Sequence, residues 1–401
     1  MRREGTIANE DATVVVAGAG IGGLRTVEEL RRAGHRGELV LVGAEKYPPY
    51  DRPPLSKGVL RGSKAASGAR LRDDAFFADN DVVLRLGTAA TSIDPIDHRV
   101  ALDDGTTHDY DQLIIATGLR PRTFPPALRA PGVHALRSLD DCLAIRQTLS
   151  GAGSVLVIGA GFIGCEVAAT LTEMGLSVCV VEQQPVPFAA VLGDTVGEFV
   201  ARLHRSAGVD LRCGVGVHEL IGAHSVVAGA VLSDGSEVEA DVVVVGIGSE
   251  PVTEWLDGSG VRVGDGVLCD ERGRTSVDGV WAVGDVAAWR TQTGAHRRIE
   301  HWTRAGEQAR IVAHEILGCD DAEFSIPYLW TDQYGIRIQI FGDVFRSELV
   351  WASYDDNRKF VAVYAADGIV TGVVGAGTAR KVRRLTSLIG RPTCALDEVA
   401  A

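Results

Sequence analysis

A repeated segment constrains the fold more than any other feature of this 401-residue chain. TVVVAGAGIGGLRTVEELRRAG at 13–34 matches SVLVIGAGFIGCEVAATLTEMG at 154–175. Each copy is a β-branched apolar run, then G-x-G-x-x-G, and then a helical pattern that ends at a glycine. A second apolar strand with an acidic residue at its end follows each copy. This order is typical of a dinucleotide-binding unit, and the chain contains it twice.

The glycines of each copy are the residue type that a dinucleotide turn requires. Gly18 permits the tight turn, Gly20 lets a pyrophosphate approach the backbone, and Gly23 lets the helix pack closely on the strand. The helix then presents unpaired N–H groups and a positive partial charge to the phosphates. Glycines that serve only helix–sheet packing are the alternative, which two copies with their acids disfavour. The predicted turn residues are Gly18, Gly20, Ile21, Gly22 and Gly23 in the first copy and Gly159, Gly161, Phe162, Ile163 and Gly164 in the second.

The acidic residue after each copy is placed to bind a ribose, and the second one also indicates which nucleotide is bound. Glu45 follows Gly23 at a spacing that places it to accept hydrogen bonds from a ribose. Glu182 would accept bonds from the 2′-OH of NAD and repel the 2′-phosphate of NADP. The loop QQPVP at 183–187 has no arginine or lysine to pair with such a phosphate. The second unit is therefore predicted to bind NADH, and Glu182 as a simple strand cap is the alternative.

Two further motifs follow the repeat along the chain. YDQLIIATGLRP at 110–121 parallels EADVVVVGIGSEP at 239–251, and both are buried-strand patterns that end in G-x-x-P. The nucleotide-site residues predicted from them are Ala116, Thr117, Gly118 and Gly248. VWAVGDVA at 280–287 is an apolar strand that ends in Gly284 and Asp285. Because it follows the second unit, it would return the chain to the first domain, where Asp285 could bind a ribityl hydroxyl.

In order and spacing, the two glycine-rich turns, the ATG motif and the GD motif resemble the FAD/NAD(P)-dependent pyridine nucleotide-disulfide reductase superfamily. Four longer stretches narrow the resemblance to the ferredoxin reductases that serve bacterial cytochrome P450s and Rieske oxygenases. They are YDRPPLSK at 50–57, GAGFIGCEVA at 159–168, EHW at 300–302 and YLWTDQYGIRIQIFG at 328–342. The resemblance covers essentially the whole chain.

The resemblance implies an α/β fold with two Rossmann-like dinucleotide-binding domains, arranged as in glutathione reductase, and an α+β C-terminal domain. The FAD-binding domain would be split between 1–121 and 248–320, with the NAD-binding domain at 122–247 and the C-terminal domain at 321–401. FAD would bind in the first unit and NADH in the second. The residues that would complete the FAD site are Gly284, Asp285, Glu300, His301 and Trp302.

The activity that the resemblance implies is that of a ferredoxin–NAD(+) reductase. Hydride would pass from NADH to FAD, and the electrons would leave one at a time to a transiently bound [2Fe–2S] ferredoxin that supplies a cytochrome P450 or a Rieske-type oxygenase. One alternative is an NADH oxidase or quinone-type reductase that uses a small acceptor. Another is a flavoprotein whose nucleotide-dependent shape is its function. The net charge of −13 disfavours the last, because relatives of that kind carry basic surfaces.

A proline-rich loop, PPYDRPPLSKG at 48–58, follows the first unit. Its prolines fix φ and remove backbone donors, so it forms neither an ordinary helix nor a central strand. In the family that it resembles, this loop passes beside the isoalloxazine ring, and its arginine and lysine, here Arg52 and Lys57, face the flavin. A flavin that becomes anionic on reduction needs positive charge at a fixed place, which the prolines would help to hold. A solvated loop lysine is the alternative for Lys57.

Glu166 lies in the first turn of the second glycine-turn helix. A carboxylate there is ordinarily explained by its favourable interaction with the helix dipole. The resemblance instead implies that it lies against the nicotinamide carboxamide and pairs with Lys57. Lys57 and Glu166 are therefore the predicted catalytic pair, at the place where hydride passes between cofactors that the protein orients.

Cysteine usage argues against thiol chemistry. The seven cysteines are scattered, form no CxxC, and are absent from 24–141, where disulfide reductases of this superfamily need a redox pair. Cys165, on the second glycine-turn helix, is expected to be a small packing residue. The pattern predicts no metal site.

Charge and hydropathy narrow the range of partners. A net charge of −13 argues against binding to nucleic acid or to an anionic membrane. The chain has no apolar run of about 18 residues, and its opening MRREGTIANEDA lacks the core of a signal peptide, which favours a cytoplasmic protein. We expect a monomer or a weak homodimer. Arg310 and ARKVRR at 379–384 would suit an acidic ferredoxin, and a solvated helix face is equally consistent with them.

Overall fold

A strand, a helix and a second strand follow one another in each of the two repeats, as the sequence predicts. The computed structural model describes residues 10–122, 130–223, 226–291, 293–319, 324–345, 347–356 and 358–396. The helices within these ranges are α1 (Ile21–Arg32), α2 (Gly58–Arg61), α3 (Asp74–Asp79), α4 (Leu139–Thr148), α5 (Phe162–Glu173), α6 (Ala189–Ser206), α7 (Trp302–Leu317) and α8 (Ala379–Thr386). All of them are too short or too polar to form a bilayer-spanning segment.

The strands are short and are numbered along the described chain. They are β1 (Val14–Ala17), β2 (Leu39–Gly43), β3 (Val82–Leu86), β4 (Ala90–Asp94), β5 (Arg99–Leu102), β6 (Thr107–Asp109), β7 (Gln112–Ile115), β8 (Leu119–Pro121), β9 (Val133–Ala135), β10 (Ser154–Ile158), β11 (Ser177–Glu182), β12 (Asp210–Cys213), β13 (Val217–Ala223), β14 (Val226–Leu232), β15 (Glu237–Glu239), β16 (Val242–Val245), β17 (Ser249–Pro251), β18 (Val263–Gly264), β19 (Gly266–Cys269), β20 (Val280–Ala282), β21 (Ala287–Arg290), β22 (His296–Arg298), β23 (Tyr328–Gln333), β24 (Ile336–Gly342), β25 (Glu348–Asp356), β26 (Lys359–Ala366) and β27 (Ile369–Ala376).

The elements form two units. The first unit consists of Met1–Asp51, Arg70–Arg120 and Ser249–Ser325, and the second of Arg52–Ala69, Pro121–Gly248 and Ile326–Ala401. The division into FAD-binding, NAD-binding and C-terminal segments given above stays a proposal. Its boundary at 320/321 lies outside the described residues, as do residues 1–9 of the N-terminal stretch.

The first unit is built on a parallel sheet with the strand order β20-β7-β1-β2-β3. Strands β1 and β2 are apolar and completely buried, as is usual for parallel strands that are covered on both faces. Val14 of β1 pairs with Leu39 on one side and with Gln112 on the other. Because β1 is central, the turn that follows it opens where the strand order changes direction, which is where ligands bind in such sheets. Two smaller sheets, β4-β5-β6 and β18-β19-β21-β22, also belong to this unit.

The second unit repeats this arrangement. Its parallel sheet has the order β12-β11-β10-β16-β9, so β10 lies between β11 and β16 as β1 lies between β2 and β7. A small antiparallel sheet, β13-β14-β15, belongs to the same unit. The C-terminal part is an antiparallel sheet, β23-β24-β27-β26-β25, whose core includes Val382 and Leu385 of α8. This confirms the expected α/β fold with two Rossmann-like sheets and an α+β C-terminal part.

The C-terminal sheet packs on α6 at a break in that helix. Gly193 has φ 73° and ψ 175°, which interrupts the helix and leaves carbonyl groups without their usual intrahelical donors. The hydroxyl of Tyr364 in β26 donates to the carbonyl of Leu192 at 2.5 Å. The rings of Phe199 and Phe360 meet beside it, with centroids 4.3 Å apart. The sheet therefore buries the helix and also donates a hydrogen bond to a carbonyl at the break.

Two glycines in each dinucleotide turn lie where any side chain would collide with backbone. A Cβ on Gly164 would lie 2.0 Å from the carbonyl oxygen of Gly159, and one on Gly159 would lie 2.4 Å from that of Gly246. In the first unit, a Cβ on Gly23 would lie 1.9 Å from the carbonyl oxygen of Gly18. Helix and strand therefore approach as closely as their backbones allow, and each helix begins directly beyond the end of its strand.

Gly164→Ala and Gly161→Ala form a matched pair that tests this close approach. Gly164→Ala is expected to lower the free energy of unfolding by about 1–3 kcal/mol or more, because α5 and the turn at Gly159 must move apart. Gly161→Ala should cost about 1 kcal/mol or less, since its Cβ meets no atom within 4 Å. Urea denaturation followed by circular dichroism measures both. Equal midpoints for the two variants would show that the helix does not need this contact.

Candidate functional site

Both dinucleotide turns have open space where a pyrophosphate would lie. A Cβ built on Gly20 or on Gly161 has no other atom within 4 Å, although the neighbouring turn glycines are tightly enclosed. These two glycines are the N-caps of α1 and α5, which begin at Ile21 and Phe162, and neither helix has a side-chain cap. The N–H groups of each first turn can therefore bind a phosphate. The residues present fit two dinucleotides, one in each unit.

The acidic residue after each turn is already held by hydrogen bonds. Glu45 accepts a 2.5 Å bond from the hydroxyl of Tyr50. Glu182 accepts the backbone N–H of Ala160 at 2.6 Å and that of Gln184 at 2.8 Å. A carboxylate offers about four lone-pair positions, so Glu182 keeps capacity for ribose hydroxyls. The same contacts hold its charge over the turn where a 2′-phosphate would need to lie.

Other predicted residues of the second turn lie around its open side. The ring of Phe162 packs on that of Phe188, with centroids 4.7 Å apart. Phe188 has a left-handed backbone, with φ 57°, at the N-cap of α6. Ile163 is exposed, which is unusual for isoleucine at the start of a buried helix. Gly248 also has a positive φ, 98°, and its carbonyl accepts the N–H of Arg122.

In the first unit, the structure brings together two glycines that are far apart in sequence. A Cβ on Gly22 would lie 3.6 Å from the Cα of Gly284, so the GD motif packs directly on the first glycine turn. The N–H of Gly284 donates to Gln308 of α7 at 2.8 Å. Asp285 follows in the same short 3₁₀ turn, and its carbonyl accepts from Arg298 at 3.3 Å.

Residues of the ATG motif and the EHW motif make contacts within this unit. Thr117, between Ala116 and Gly118, donates its hydroxyl to the carbonyl of Val252 at 2.8 Å. Glu300 forms an ion pair of 2.5 Å with Arg298, and His301 is the N-cap residue of α7. Trp302 donates its indole N–H to Asp51 at 3.0 Å, and the guanidinium of Arg25 lies 5.4 Å from its ring centroid.

Residues 52–58 of the proline-rich loop belong to the second unit, where hydrogen bonds hold them in place. Pro53–Ser56 forms one turn of 3₁₀ helix, the short structure that proline at its start permits. The carbonyl of Ser56 accepts the hydroxyl of Thr170 in α5 at 2.8 Å. Arg52 does not join Lys57 but donates to the carbonyl of Arg137 at 2.5 Å.

Lys57 and Glu166 meet within this unit. The Lys57 ammonium lies 2.5 Å from Oε2 of Glu166 and also donates to the carbonyl of Pro53 at 3.1 Å. Ser56 donates to the same Oε2 at 2.6 Å, and Thr331 donates to Oε1 at 2.8 Å. The Glu166 side chain is only 6% exposed, so these donors offset the cost of burying its charge.

Ser56 and Thr331 are donors to Glu166 that the sequence did not predict. Ser56 precedes Lys57 in the proline-rich loop. Only the charged residues of this loop, Arg52 and Lys57, were predicted to face the flavin. Thr331 lies in β23, within the YLWTDQYG stretch, and no periodicity or motif marks its hydroxyl. Only the long-range packing of β23 on α5 could have identified it.

The buried thiols are packing groups. Burial raises the pKa of Cys142 to about 11 and that of Cys179 to about 12. The pKa of the fully buried Cys165 is also raised, first by burial and then by Glu166 and Glu182. These thiols are protonated near neutral pH and are therefore poor nucleophiles. Within the described part of the chain, no cluster of histidine, cysteine and acidic side chains could hold a metal ion.

Family models and sequence relatives agree on one group of enzymes. The model for the pyridine nucleotide-disulphide oxidoreductases matches residues 12–309, and that for the reductase C-terminal domain matches residues 328–401. The chain is 38% identical to the ferredoxin–NAD(+) reductase component of the anthranilate 1,2-dioxygenase system of Burkholderia cepacia, over 94% of this chain and 93% of that protein. It is 36% identical to rhodocoxin reductase of Rhodococcus erythropolis, over 82% and 78% of the two chains.

Solved structures agree with this grouping. The ferredoxin reductase for the CYP199A2 system from Rhodopseudomonas palustris matches with a TM-score of 0.91 at 32% identity, covering 97% of both chains. Putidaredoxin reductase, in its covalent complex with putidaredoxin, matches with a TM-score of 0.90 at 32% identity, over 95% and 94% of the two chains. These findings confirm the resemblance seen in the sequence. The chain belongs to the pyridine nucleotide-disulphide oxidoreductase family, as an oxidoreductase of the putidaredoxin reductase type that uses FAD and NAD(H).

Proposed function

We propose that this enzyme passes electrons from NADH to a [2Fe–2S] ferredoxin that supplies a cytochrome P450 or a Rieske-type oxygenase. The observation that carries the proposal is the extent of the likeness to reductases of such systems. Named relatives serve dioxygenases, and the matched structures include a reductase of a CYP system and one bound to putidaredoxin. The likeness includes the reductase C-terminal domain and is not confined to the cofactor-binding part.

The chain's own residues bind and orient the cofactors. When bound, FAD accepts a hydride from a nicotinamide and releases the electrons singly, chemistry that no protein side chain supplies. The uncapped N-termini of α1 and α5 bind the two pyrophosphates. Glu45 and Glu182 accept ribose hydroxyls, and Asp285 a ribityl hydroxyl, at the ends of the same sheets.

Glu166 and Lys57 are assigned to orientation and charge. Three donors already bind the Glu166 carboxylate, which leaves one of its roughly four lone-pair positions for a nicotinamide carboxamide N–H. Lys57 supplies a fixed positive charge of the kind that a flavin needs on reduction. Its position is fixed because Pro53 and Ser56, in the rigid loop, accept its N–H groups.

The electrons leave to a partner. The four buried cysteines, Cys142, Cys165, Cys179 and Cys269, are unpaired thiols, so none forms the internal disulfide that reductases of the wider family use as an acceptor. Exposed arginines of α8, Arg380, Arg383 and Arg384, offer positive charge on an acidic chain. Such charge would steer an acidic ferredoxin and raise its association rate. We expect the enzyme to act as a monomer or a weak homodimer.

Reduction of a ferredoxin tests the proposal directly. The purified enzyme should carry about one FAD per chain, and NADH should reduce a [2Fe–2S] ferredoxin from a P450 or Rieske system much faster than it reduces oxygen or a quinone. The measurement is NADH consumption at 340 nm (roughly the NADH band), with and without ferredoxin, alongside reduction of the ferredoxin itself. Rapid turnover with quinone and none with any ferredoxin would favour the small-acceptor alternative.

The choice of nucleotide tests Glu182. We expect kcat/KM for NADH to exceed that for NADPH at least about tenfold, because the carboxylate repels a 2′-phosphate. Glu182→Gln combined with Gln183→Arg should shrink this ratio, since the amide keeps an acceptor for Ala160 while the arginine supplies a phosphate partner. Steady-state kinetics with both nucleotides, at unchanged FAD content, gives the answer. Equal use by the wild type would refute the assignment.

Stopped-flow reduction tests Lys57 and Glu166. Lys57→Met should leave FAD bound and slow its reduction by NADH about 10²-fold, by analogy with the loss of one preorganised electrostatic donor. Glu166→Gln should slow reduction by NADH more than reduction by dithionite, because the residue orients the nicotinamide. The double variant should lose less than the product of the single losses, since residues that act as a unit are not additive.

Two variants in the same unit serve as controls. Lys64→Met removes another lysine of the Arg52–Ala69 segment, and Glu173→Gln removes a carboxylate of the same helix as Glu166 that pairs with Arg61 near the surface. In both variants, NADH should reduce FAD at the wild-type rate. If Lys57→Met and Glu166→Gln also show this rate, the two residues have no part in the reaction.

A further inference from the structure

A chain of hydrogen bonds runs from Glu166 through the second unit to a turn in the C-terminal sheet. Thr331 joins Oε1 of Glu166 at 2.8 Å, and Gln333 Nε2 lies 3.2 Å from the Thr331 hydroxyl. His204 Nε2 lies 2.9 Å from Gln333 Oε1, and the Tyr334 hydroxyl lies 2.9 Å from His204 Nδ1. The chain connects β23, its following turn, α5 and α6.

The charge of Glu166 sets the direction of every bond in this chain. A carboxylate has no proton to donate, so Thr331 donates to Glu166 and its oxygen accepts from Gln333. Gln333 therefore turns its NH₂ towards Thr331 and its oxygen towards His204. His204 must then carry its proton on Nε2 and accept at Nδ1, where the Tyr334 hydroxyl donates. All donors point towards Glu166.

The three middle members of the chain are buried away from bulk water. Thr331, Gln333 and His204 are each at most 1% exposed. Burial lowers the pKa of His204 to about 4, although its bond with Gln333 opposes the shift, so the imidazole is neutral near neutral pH. A buried polar group without a partner is costly, and this network satisfies each of its members.

Tyr334 has a backbone conformation that is unfavourable for a bulky side chain. Tyr334 and Gly335 form the two-residue turn between β23 and β24, with φ of 51° and 70°. Such a turn prefers asparagine or aspartate before glycine, because a bulky residue is strained at positive φ. The Tyr334 ring packs edge-on against His204, at 5.1 Å and 75°, and its hydroxyl ends the chain. The strained turn therefore places this side chain.

An amide in the middle limits what the chain can do. Gln333 receives a bond on its oxygen and donates from its nitrogen, so it cannot hand a proton from His204 to Thr331 while it remains an amide. The chain can orient and polarise Glu166, but it is not a proton path.

We propose that Thr331, Gln333 and His204 are positioning residues that hold the Glu166 carboxylate in the orientation that receives the nicotinamide. This inference rests on the proposed role of Glu166 in binding NADH. It extends that site to the C-terminal sheet through Thr331 and Gln333 and to α6 through His204. It also requires that the charge of Glu166 determines which nitrogen of His204 is protonated.

The tautomer of His204 is the readout that needs neither NADH nor turnover. In protein labelled with ring-¹⁵N histidine, His204 should show a proton on Nε2, with its signal assigned from a His204→Gln variant. In Glu166→Gln the new amide should turn its oxygen towards Lys57 and its NH₂ towards Thr331, so every bond reverses and the proton should move to Nδ1. Glu173→Gln should leave the tautomer unchanged. An Nδ1 proton in the wild type, or no change in Glu166→Gln, would overturn the inference.

Kinetics test the positioning role with a matched set of threonine variants. Thr331→Val keeps the side-chain shape but removes the donor, and should slow flavin reduction at saturating NADH about ten- to hundredfold through misorientation. Dithionite reduction and FAD content should not change. Thr331→Ser should restore most of the rate. Thr371→Val, in the same sheet but bonded to Ser347, should behave like the wild type.

The outcomes distinguish a failure of the positioning chain from a failure of the proposed role of Glu166. If Glu166→Gln leaves reduction by NADH unchanged, the role of Glu166 and the positioning chain both fail. If Glu166→Gln slows reduction while Thr331→Val matches Thr371→Val, only the positioning chain fails. A loss in Thr331→Val that Thr331→Ser does not rescue would point to packing rather than the hydroxyl and would also overturn the inference.

Discussion

The close approach of helix to strand at Gly23 and Gly164 is the constraint on which both nucleotide sites depend. With no Cβ at these positions, the backbone of α1 or α5 lies against the carbonyl of the turn before it. The helix N-terminus is then beyond the strand end, uncapped, with open space at Gly20 or Gly161. A dinucleotide site in this fold is therefore largely a consequence of how two backbones pack, and side chains only refine it.

In the second unit, the buried carboxylate of Glu166 joins segments that are far apart in the chain. A charge at 6% exposure needs donors, and they come from the proline-rich loop through Ser56 and Lys57 and from the C-terminal sheet through Thr331. The C-terminal sheet therefore supplies a donor to Glu166 as well as packing on α6. The rigid loop has the same dual role, since Thr170 fixes its carbonyl while it presents the lysine.

Local patterns identified much of the site because the requirements there are local. The spacing of Gly159, Gly161 and Gly164 reflects backbone geometry within a few residues, and Glu182 follows at the end of the next strand. The turn, its open side and the repeat of the sheet order were all predictable from these features. The pairing of Lys57 with Glu166 was different: only the resemblance to a family implied it, because nothing in either local sequence specifies the other residue.

Glycine spacing, apolar strands and acidic strand ends by themselves indicated the α/β class, the two dinucleotide units and the NADH expected in the second unit, whereas FAD in the first unit was implied only by the resemblance to a family. Tertiary structure alone decided which side chains form hydrogen bonds with Glu166. Ser56 and Thr331 are 110 and 165 positions away from it in the chain. His204 reaches it only through two intermediate side chains. Periodicity indicates which face of an element is buried. It does not indicate which buried charge a hydroxyl or imidazole on that face will meet, because that depends on how distant segments pack together.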